Sequence, residues 1–428
     1  MKESNDGIER RRFLKMLAAT GLSVPLLGSI AKAAQGTASS APWPFASPAK
    51  TQPAGTSQTA AAPANGMVPR RKLGKTGVEL PCMALGCTTK KPAEMERCLH
   101  FGINHFDTAA SYAGAEAGIG DFLKQNKIPR DKVFISTKPK DINTPLPIIA
   151  DIEASLDNSL KTLGVDYIDL FCGIHANPKP DRLTDELGAF GEEQKKKGKI
   201  KYFGFSNHAG MADNLTAAAK LPWVDAILLQ YSYRLAGNPK LSAAIDECVK
   251  AGIGLISIKT QGFGAKTMSD AEKKLTDAFT GKGFNEAQAK IKFVLEDKRF
   301  TSCAIGMKGV DVVDSCVAAA LDKISLDGAD KVALERHAQE SCSGYCAGCP
   351  NICGAALPAG LPMMSDVMRF LMYSESYGDH DYASELFNGF SDETKAKMRV
   401  ADYRYAETLC PQRIPIAGMV AEAFHRFA

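Results

Sequence analysis

The sequence has little net charge of either sign. Lys and Arg number 52 against 48 Asp and Glu, a formal charge of +4 on 428 residues, so no nucleic-acid or membrane-surface role follows from charge. Its N-terminal apolar run, Met16–Ile30, is 15 residues long, short of the roughly 20 that a membrane-spanning helix needs. No G-x-G-x-x-G turn follows the first strand-like run. Cys82–Cys87 leads instead into Thr88-Thr89-Lys90-Lys91-Pro92, which argues against an open dinucleotide-binding sheet. Two C-x-x-C knuckles spaced by a long loop, the usual zinc pattern, are also missing. What is there is an ordinary globular composition, 45% hydrophobic and 23% charged, enough for a large core.

The N-terminus runs from a basic stretch, Arg10-Arg11-Arg12, through that apolar segment to Ala31-Lys32-Ala33. A basic region, an apolar region and a small-x-small site in this order predict an export signal over residues 1–33. Arg10-Arg11 with Phe13-Leu14-Lys15 resembles the twin-arginine class, which implies passage through the twin-arginine machinery and a periplasmic location, or tethering if the signal stays uncleaved. Residues 34–66 are almost entirely Ala, Pro, Ser, Thr, Gln and Gly. Such a composition buries too little surface to order itself and reads as a linker.

From Arg70 onward, short β-rich runs alternate with helix-length segments. The runs are Cys82–Cys87, Asn104–Thr108, Val133–Pro139, Tyr167–His175, Ile200–His208, Ala226–Ser232, Ile253–Thr260 and Cys303–Met307. Eight strands, most followed by a helical pattern such as Ile148–Leu163 or Asp185–Lys197, predict a closed α/β barrel, (β/α)8, over residues 67–328. A second, mainly helical domain is expected over 329–428.

Barrels of this kind build their active sites at the C-terminal ends of their strands. Asp107 ends the second run, with Tyr112 five residues on; Lys138 ends the third and His175 the fourth. A phenol is a poor acid at neutral pH, but a neighbouring ammonium favours its phenolate, and a carboxylate can hold that ammonium in place. With a histidine to orient a carbonyl oxygen, the four predict acid-assisted carbonyl reduction with hydride from a nicotinamide. His105 and His208 read as packed or hydrogen-bonded histidines.

These stretches, together with Arg71-Lys72-Leu73-Gly74-Lys75-Thr76-Gly77, Thr137-Lys138 and Gly204-Phe205-Ser206-Asn207, resemble the aldo/keto reductase family in the same order along 70–325. The resemblance implies Asp107, Tyr112, Lys138 and His175 as the catalytic tetrad. It also implies NADP or NAD as cofactor, with Ser206, Asn207 and Gln230 at the carboxamide and Tyr231 stacked on the nicotinamide. Lys259, at the end of the seventh strand, joins the cofactor set. The family's adenosine-phosphate segment appears as Ile305-Gly306-Met307-Lys308-Gly309, where Lys308 would pair with a 2′-phosphate and Gly306 joins the cofactor set. A small carbonyl or alcohol substrate is implied. A non-catalytic barrel that binds nucleotide or a partner, as sensor or scaffold, is the alternative.

Of the 12 cysteines, seven are scattered and four crowd into Cys342, Cys346, Cys349 and Cys353, spaced C-x3-C-x2-C-x3-C; Cys410 stands alone. Disulfides, zinc and an iron–sulfur cluster compete for the crowd, and close spacing beside a proline fits iron–sulfur ligation best. Gly344-Tyr345-Cys346 and Cys410–Ile416 resemble the ferredoxin-like extension of one aldo/keto reductase branch. That resemblance implies one 4Fe-4S cluster on Cys342, Cys346, Cys349 and Cys410, with Cys353 as the alternative fourth ligand, and a redox protein as partner.

Overall fold

The computed structural model describes residues 66–86, 92–112, 114–140, 147–260, 277, 279, 282–283, 285–322, 324–340, 346, 350–376, 380–410 and 412–428. The expected signal, nearly all of the expected linker, and Cys87, Cys342 and Cys349 lie outside the described residues.

Ten strands are described: β1 (Arg70–Lys72), β2 (Glu79–Pro81), β3 (Met83–Gly86), β4 (His105–Asp107), β5 (Phe134–Thr137), β6 (Ile168–Cys172), β7 (Ile200–Asn207), β8 (Ala226–Gln230), β9 (Gly254–Ile258) and β10 (Ser302–Ile305). Strands β3 to β10 pair in parallel, each with its sequence neighbour, and β10 pairs with β3 to close the barrel. A helix follows each barrel strand, from Pro92–His100 after β3 to Val310–Leu321 after β10. The eight runs read from the sequence are these eight strands, with ends shifted by at most three residues.

Side chains alternate across each strand, and the two faces fill separate cores. Ala84, Phe134, Leu170, Cys172, Leu228 and Ile256 fill the barrel interior. Residues of opposite parity, such as Phe106, Ile135, Phe171, Phe203 and Ile227, pack against the surrounding helices. Gly204 lies on the interior face of β7, where a Cβ would stand 1.8 Å from the Ala226 carbonyl oxygen. Only glycine lets β7 and β8 approach so closely there.

The antiparallel hairpin β1–β2 sends Leu73 and Leu80, both buried, into the interior core. Burying a leucine stabilises by about 1.5–3 kcal/mol, enough to anchor the hairpin across the N-terminal end of the barrel. That end is sealed, and the opposite end carries the cavity.

Beyond the barrel, the described residues form only helices, from Gly328–Glu340 to Ile416–Phe427. Gly328–Glu340 docks on the barrel through Tyr233 stacked on His337 and Arg234 donating to the Ala338 carbonyl. Helices Met364–Ser376, His380–Asn388 and Ile416–Phe427 share an aromatic core: Phe387 meets Phe424 edge-on at 5.1 Å, and Phe370 meets Phe390 at 5.8 Å.

Candidate active site

Phe134, Ser136 and Lys138 share one parity, so Lys138 continues the interior face just past the end of β5. Its side chain is only 1% exposed, and a buried ammonium is costly unless every proton finds an acceptor. All three do. Lys138 Nζ donates to Asp107 Oδ1 at 2.8 Å, to Asp107 Oδ2 at 3.0 Å and to the Thr108 carbonyl oxygen at 2.7 Å. The carboxylate is itself held from below, where the Ser136 hydroxyl donates to Asp107 Oδ1 at 2.7 Å. His105 Nε2 lies 2.9 Å from Ser136 Oγ; with that hydroxyl already donating, the ring's proton sits on Nε2. Burial, outweighing the pull of Asp107, pushes His105 down to about 4, so it is neutral at pH 7 and acts as a fixed donor.

Tyr112 lies above this pair, its ring centroid 5.7 Å from Lys138 Nζ. His175 closes the other side, edge-on to Tyr112 at 6.0 Å between centroids. Burial first, then the charges of Lys138 and Arg369, hold His175 well below the usual imidazole range. The four expected catalytic residues therefore meet at one end of the barrel. Ser136 is the member that sequence reading missed. A small polar residue in an apolar strand, two before Lys138 and so on the same face, was the available signal.

Beside the tetrad opens a cavity between the barrel mouth and the helices beyond it. The barrel contributes Ala176, His208, Gln230 and Lys259 to its lining. Helix Met364–Ser376 contributes Asp366, Arg369 and Met372 and forms its roof. His208 stands 6.1 Å from His175 between centroids. It too is held well below the usual range, by burial and then by Lys259 and Arg369. Lys259 follows β9 with φ +59°, rare for a non-glycine residue.

The cofactor residues expected from the sequence divide. Gln230 lines the cavity, and its Nε2 donates to the Cys346 carbonyl oxygen at 3.2 Å. Ser206 Oγ accepts from the Ala176 amide, and Asn207 Nδ2 donates to the carbonyls of Asn177 and Ala209. Both side chains fasten the loops that form the cavity wall. Tyr231 is placed differently from the expected stack. Ala226, Leu228 and Gln230 face inward, so the next residue faces out. Its ring stacks on Phe300 at 4.4 Å and its hydroxyl donates to Asp297. Gly306 and Lys308 are exposed beyond β10, and the Gly309 amide donates to Glu94 Oε1 at 3.0 Å. Asp314, in the following helix, is paired with Arg97 at 2.6 Å.

Among the described residues, no group of three or more His, Cys, Asp or Glu side chains is arranged to hold a metal ion. Of the five expected ligands, Cys346 borders the cavity, while Cys342 and Cys349 lie outside the described residues. Cys353 and Cys410 are near one another: the Cys353 thiol is pushed up by burial and then by the charge of Cys410.

The aldo/keto reductase family model matches residues 88–321, more than half of the chain. L-galactose dehydrogenase from Arabidopsis thaliana is 24% identical over 292 residues, covering 62% of this chain and 91% of that protein. L-glyceraldehyde 3-phosphate reductase from Escherichia coli (strain K12) is 24% identical over 324 residues, covering 64% and 93%. Among solved structures, the holo form of an aldo-keto reductase from Bacillus halodurans aligns with a TM-score of 0.52 at 21% identity, over 63% of this chain and 96% of that one. That likeness supports the fold alone. The family match ends at residue 321, before the roof helix begins. The chain belongs to the aldo/keto reductase family.

Proposed function

We propose that the protein reduces a small carbonyl compound, or oxidises the matching alcohol, with a nicotinamide dinucleotide as hydride carrier and Tyr112 as the proton donor. The observation that carries this reading is the buried Asp107–Lys138 pair beneath Tyr112. When bound, the reduced nicotinamide supplies a hydride to the carbonyl carbon. The Tyr112 hydroxyl gives its proton to the carbonyl oxygen, leaving an alcohol and a phenolate. With its Nζ 5.7 Å from the ring centroid, the Lys138 charge favours that phenolate. Asp107 keeps the ammonium in place, and the Ser136–His105 relay keeps Asp107 in place. His175, held neutral, is not the acid at pH 7; it orients the carbonyl oxygen by hydrogen bonding.

Gln230 and Lys259 in the cavity, with Ser206 and Asn207 at its wall, are the proposed contacts to the nicotinamide half. Gly306 and Lys308 are those to the adenosine half. A Tyr112→Phe variant tests the reading with NADPH, NADH and a panel of aldehydes. The rate is expected to fall by about 10²-fold or more; a variant as fast as the parent would sink the assignment.

The crowded cysteines are proposed to hold one 4Fe-4S cluster, with Cys342, Cys346 and Cys349 joined by Cys410, or by Cys353 in its place. The nearness of Cys353 to Cys410 supports a thiol-rich site. Such a cluster would exchange electrons with a redox protein. Export by the twin-arginine route is proposed on the sequence pattern, and recovery of mature protein only from the cytoplasm would contradict it.

A further inference from the structure

The loop after β6 carries His175, and the residue that follows is bent unusually. Ala176 has φ +56°, a left-handed backbone that is uncommon for a residue with a Cβ and persists only where its surroundings hold it. The loop after β7 does the holding. The Ala176 amide donates to Ser206 Oγ at 2.9 Å, and the Asn177 amide donates to the Ser206 carbonyl oxygen at 2.7 Å. Beside this pair stand three fully buried asparagines, Asn177, Asn207 and Asn214. Asn207 Nδ2 donates to the carbonyl oxygens of Asn177 and Ala209 at 2.6 and 2.9 Å. Asn214 Nδ2 donates to the same two oxygens at 3.2 and 3.1 Å. Two side-chain amides and two carbonyls thus close a square of hydrogen bonds between the loops. Asn214 Oδ1 completes the tie by accepting from Asn177 Nδ2 at 3.1 Å.

Asn207 ends β7 and Asn177 belongs to the tied loop, but Asn214 comes from helix Met211–Ala218. There it shares a buried face with Met211, Leu215 and Ala218 and lies outside the cavity lining. A buried amide among apolar neighbours is costly unless its groups are bonded, and here its side-chain bonds all go to the two loops. The rings that those loops carry face each other: His175, just before Ala176, stands 6.1 Å from His208, just after Asn207. We propose that Asn214 is a positioning residue for His175. Through the carbonyls of Asn177 and Ala209 it locks the loops after β6 and β7 together, and so holds the imidazole edge-on to Tyr112 at 6.0 Å. This deepens the reductase reading and rests on it for the role of His175; the lock itself does not.

Full-length wild type is compared with Asn214→Leu, which keeps the bulk and removes the three bonds, and with Asn214→Ser as a milder second variant. Leu215→Ala is the control, because it loosens the same helix from its apolar side and leaves the square intact. Hydrogen exchange over residues 174–179, read by mass spectrometry, reports the lock without turnover. Exchange there is expected to be about tenfold faster in Asn214→Leu and little changed in Leu215→Ala. With NADPH and 4-nitrobenzaldehyde, Asn214→Leu should lose about tenfold in kcat, the effect of a displaced group. Its affinity for NADPH, read by fluorescence titration, should stay near that of wild type, and Leu215→Ala should keep its kcat.

Unchanged exchange in Asn214→Leu overturns the proposal. So does faster exchange with a wild-type kcat, and so do equal losses of kcat in Asn214→Leu and Leu215→Ala, which would leave Asn214 a role in stability alone. If wild type reduces no carbonyl, the reductase reading falls and the placing of the ring is read directly. An NMR contact between the His175 and Tyr112 rings should then be present in wild type and lost in Asn214→Leu; its persistence in the variant overturns the positioning role.

Discussion

Lys138 and Lys259 show how two lysines at one barrel mouth come to different ends. Lys138 is buried with all three protons satisfied and a carboxylate against it; losing that partner typically costs about 3–5 kcal/mol. Lys259 is pushed down to about 7 by burial first, then by Arg369 and Lys138, with Asp107 pulling the other way. Its neighbours are Arg369 and Asp366 from the roof helix, His208 after β7, His175, and the Lys138–Asp107 pair. At pH 6 Lys259 is mostly charged and at pH 8 mostly neutral. The Lys259 charge is therefore expected to be lost as pH rises through about 7, read by NMR of its side chain across pH 6–9. In Arg369→Met that midpoint should move upward, because a repelling charge is gone; an unmoved midpoint would separate Lys259 from Arg369. The linkage to folding has a definite sign. With the folded pKa lowered from 10.5 to about 7, the unfolded chain binds more protons between those values. Stability thus rises with pH across that window. The meeting of Asp107, Tyr112, Lys138 and His175 was legible because strand parity and strand ends are local properties. For Tyr231 the resemblance implies a stack on the nicotinamide, while parity, with Gln230 facing in, turns the next side chain out onto Phe300.

Among elements, the eight strands were readable because period, length and alternation with helices are written into neighbouring residues. The roof was not. Helix Met364–Ser376 buries Val367, Met368, Phe370 and Leu371. Such a stripe announces a buried face without saying what covers it. Docking over the barrel mouth is decided by contacts far apart in sequence, so Arg369 had no local signature. Helix Val310–Leu321 teaches a related lesson. The resemblance implies a 2′-phosphate near its start, with Lys308 as the cation. The structure adds Glu94, whose carboxylate takes the Gly309 amide, a group that helix starts otherwise offer to anions. A second negative charge there is unwelcome. Glu94→Gln is accordingly expected to raise the kcat/KM preference for NADPH over NADH by about tenfold, the effect of roughly 1.4 kcal/mol. An unchanged ratio in steady-state assays would remove this helix start from cofactor choice.

For the whole molecule, the extension and the barrel are joined at the point where both are expected to do chemistry. The Cys346 carbonyl receives the Gln230 amide at the cavity, so whatever orders the cysteine segment also orders one wall of the site. Which thiols matter can be argued from position. Helices Pro350–Cys353 and Arg404–Leu409 bring Cys353 near Cys410, close enough for the charge of one to raise the pKa of the other. A cluster with Cys410 as fourth ligand leaves Cys353 as a spectator at that spot, and the reverse choice leaves Cys410 so. Anaerobically purified Cys410→Ser is expected to lose most of its iron and Cys353→Ser to keep it, read as iron per chain beside the visible spectrum; full iron in Cys410→Ser reverses the assignment. The same samples report on the join. If the cluster orders the segment at Cys346, the iron-poor variant should bind the nicotinamide dinucleotide more weakly than the iron-replete one, although neither substitution touches the cavity lining. Equal binding in both would mean that the roof helix holds the site without the cysteines. In that case the acid–base chemistry proposed for the barrel and the redox chemistry proposed for its extension share a chain without sharing a structural element.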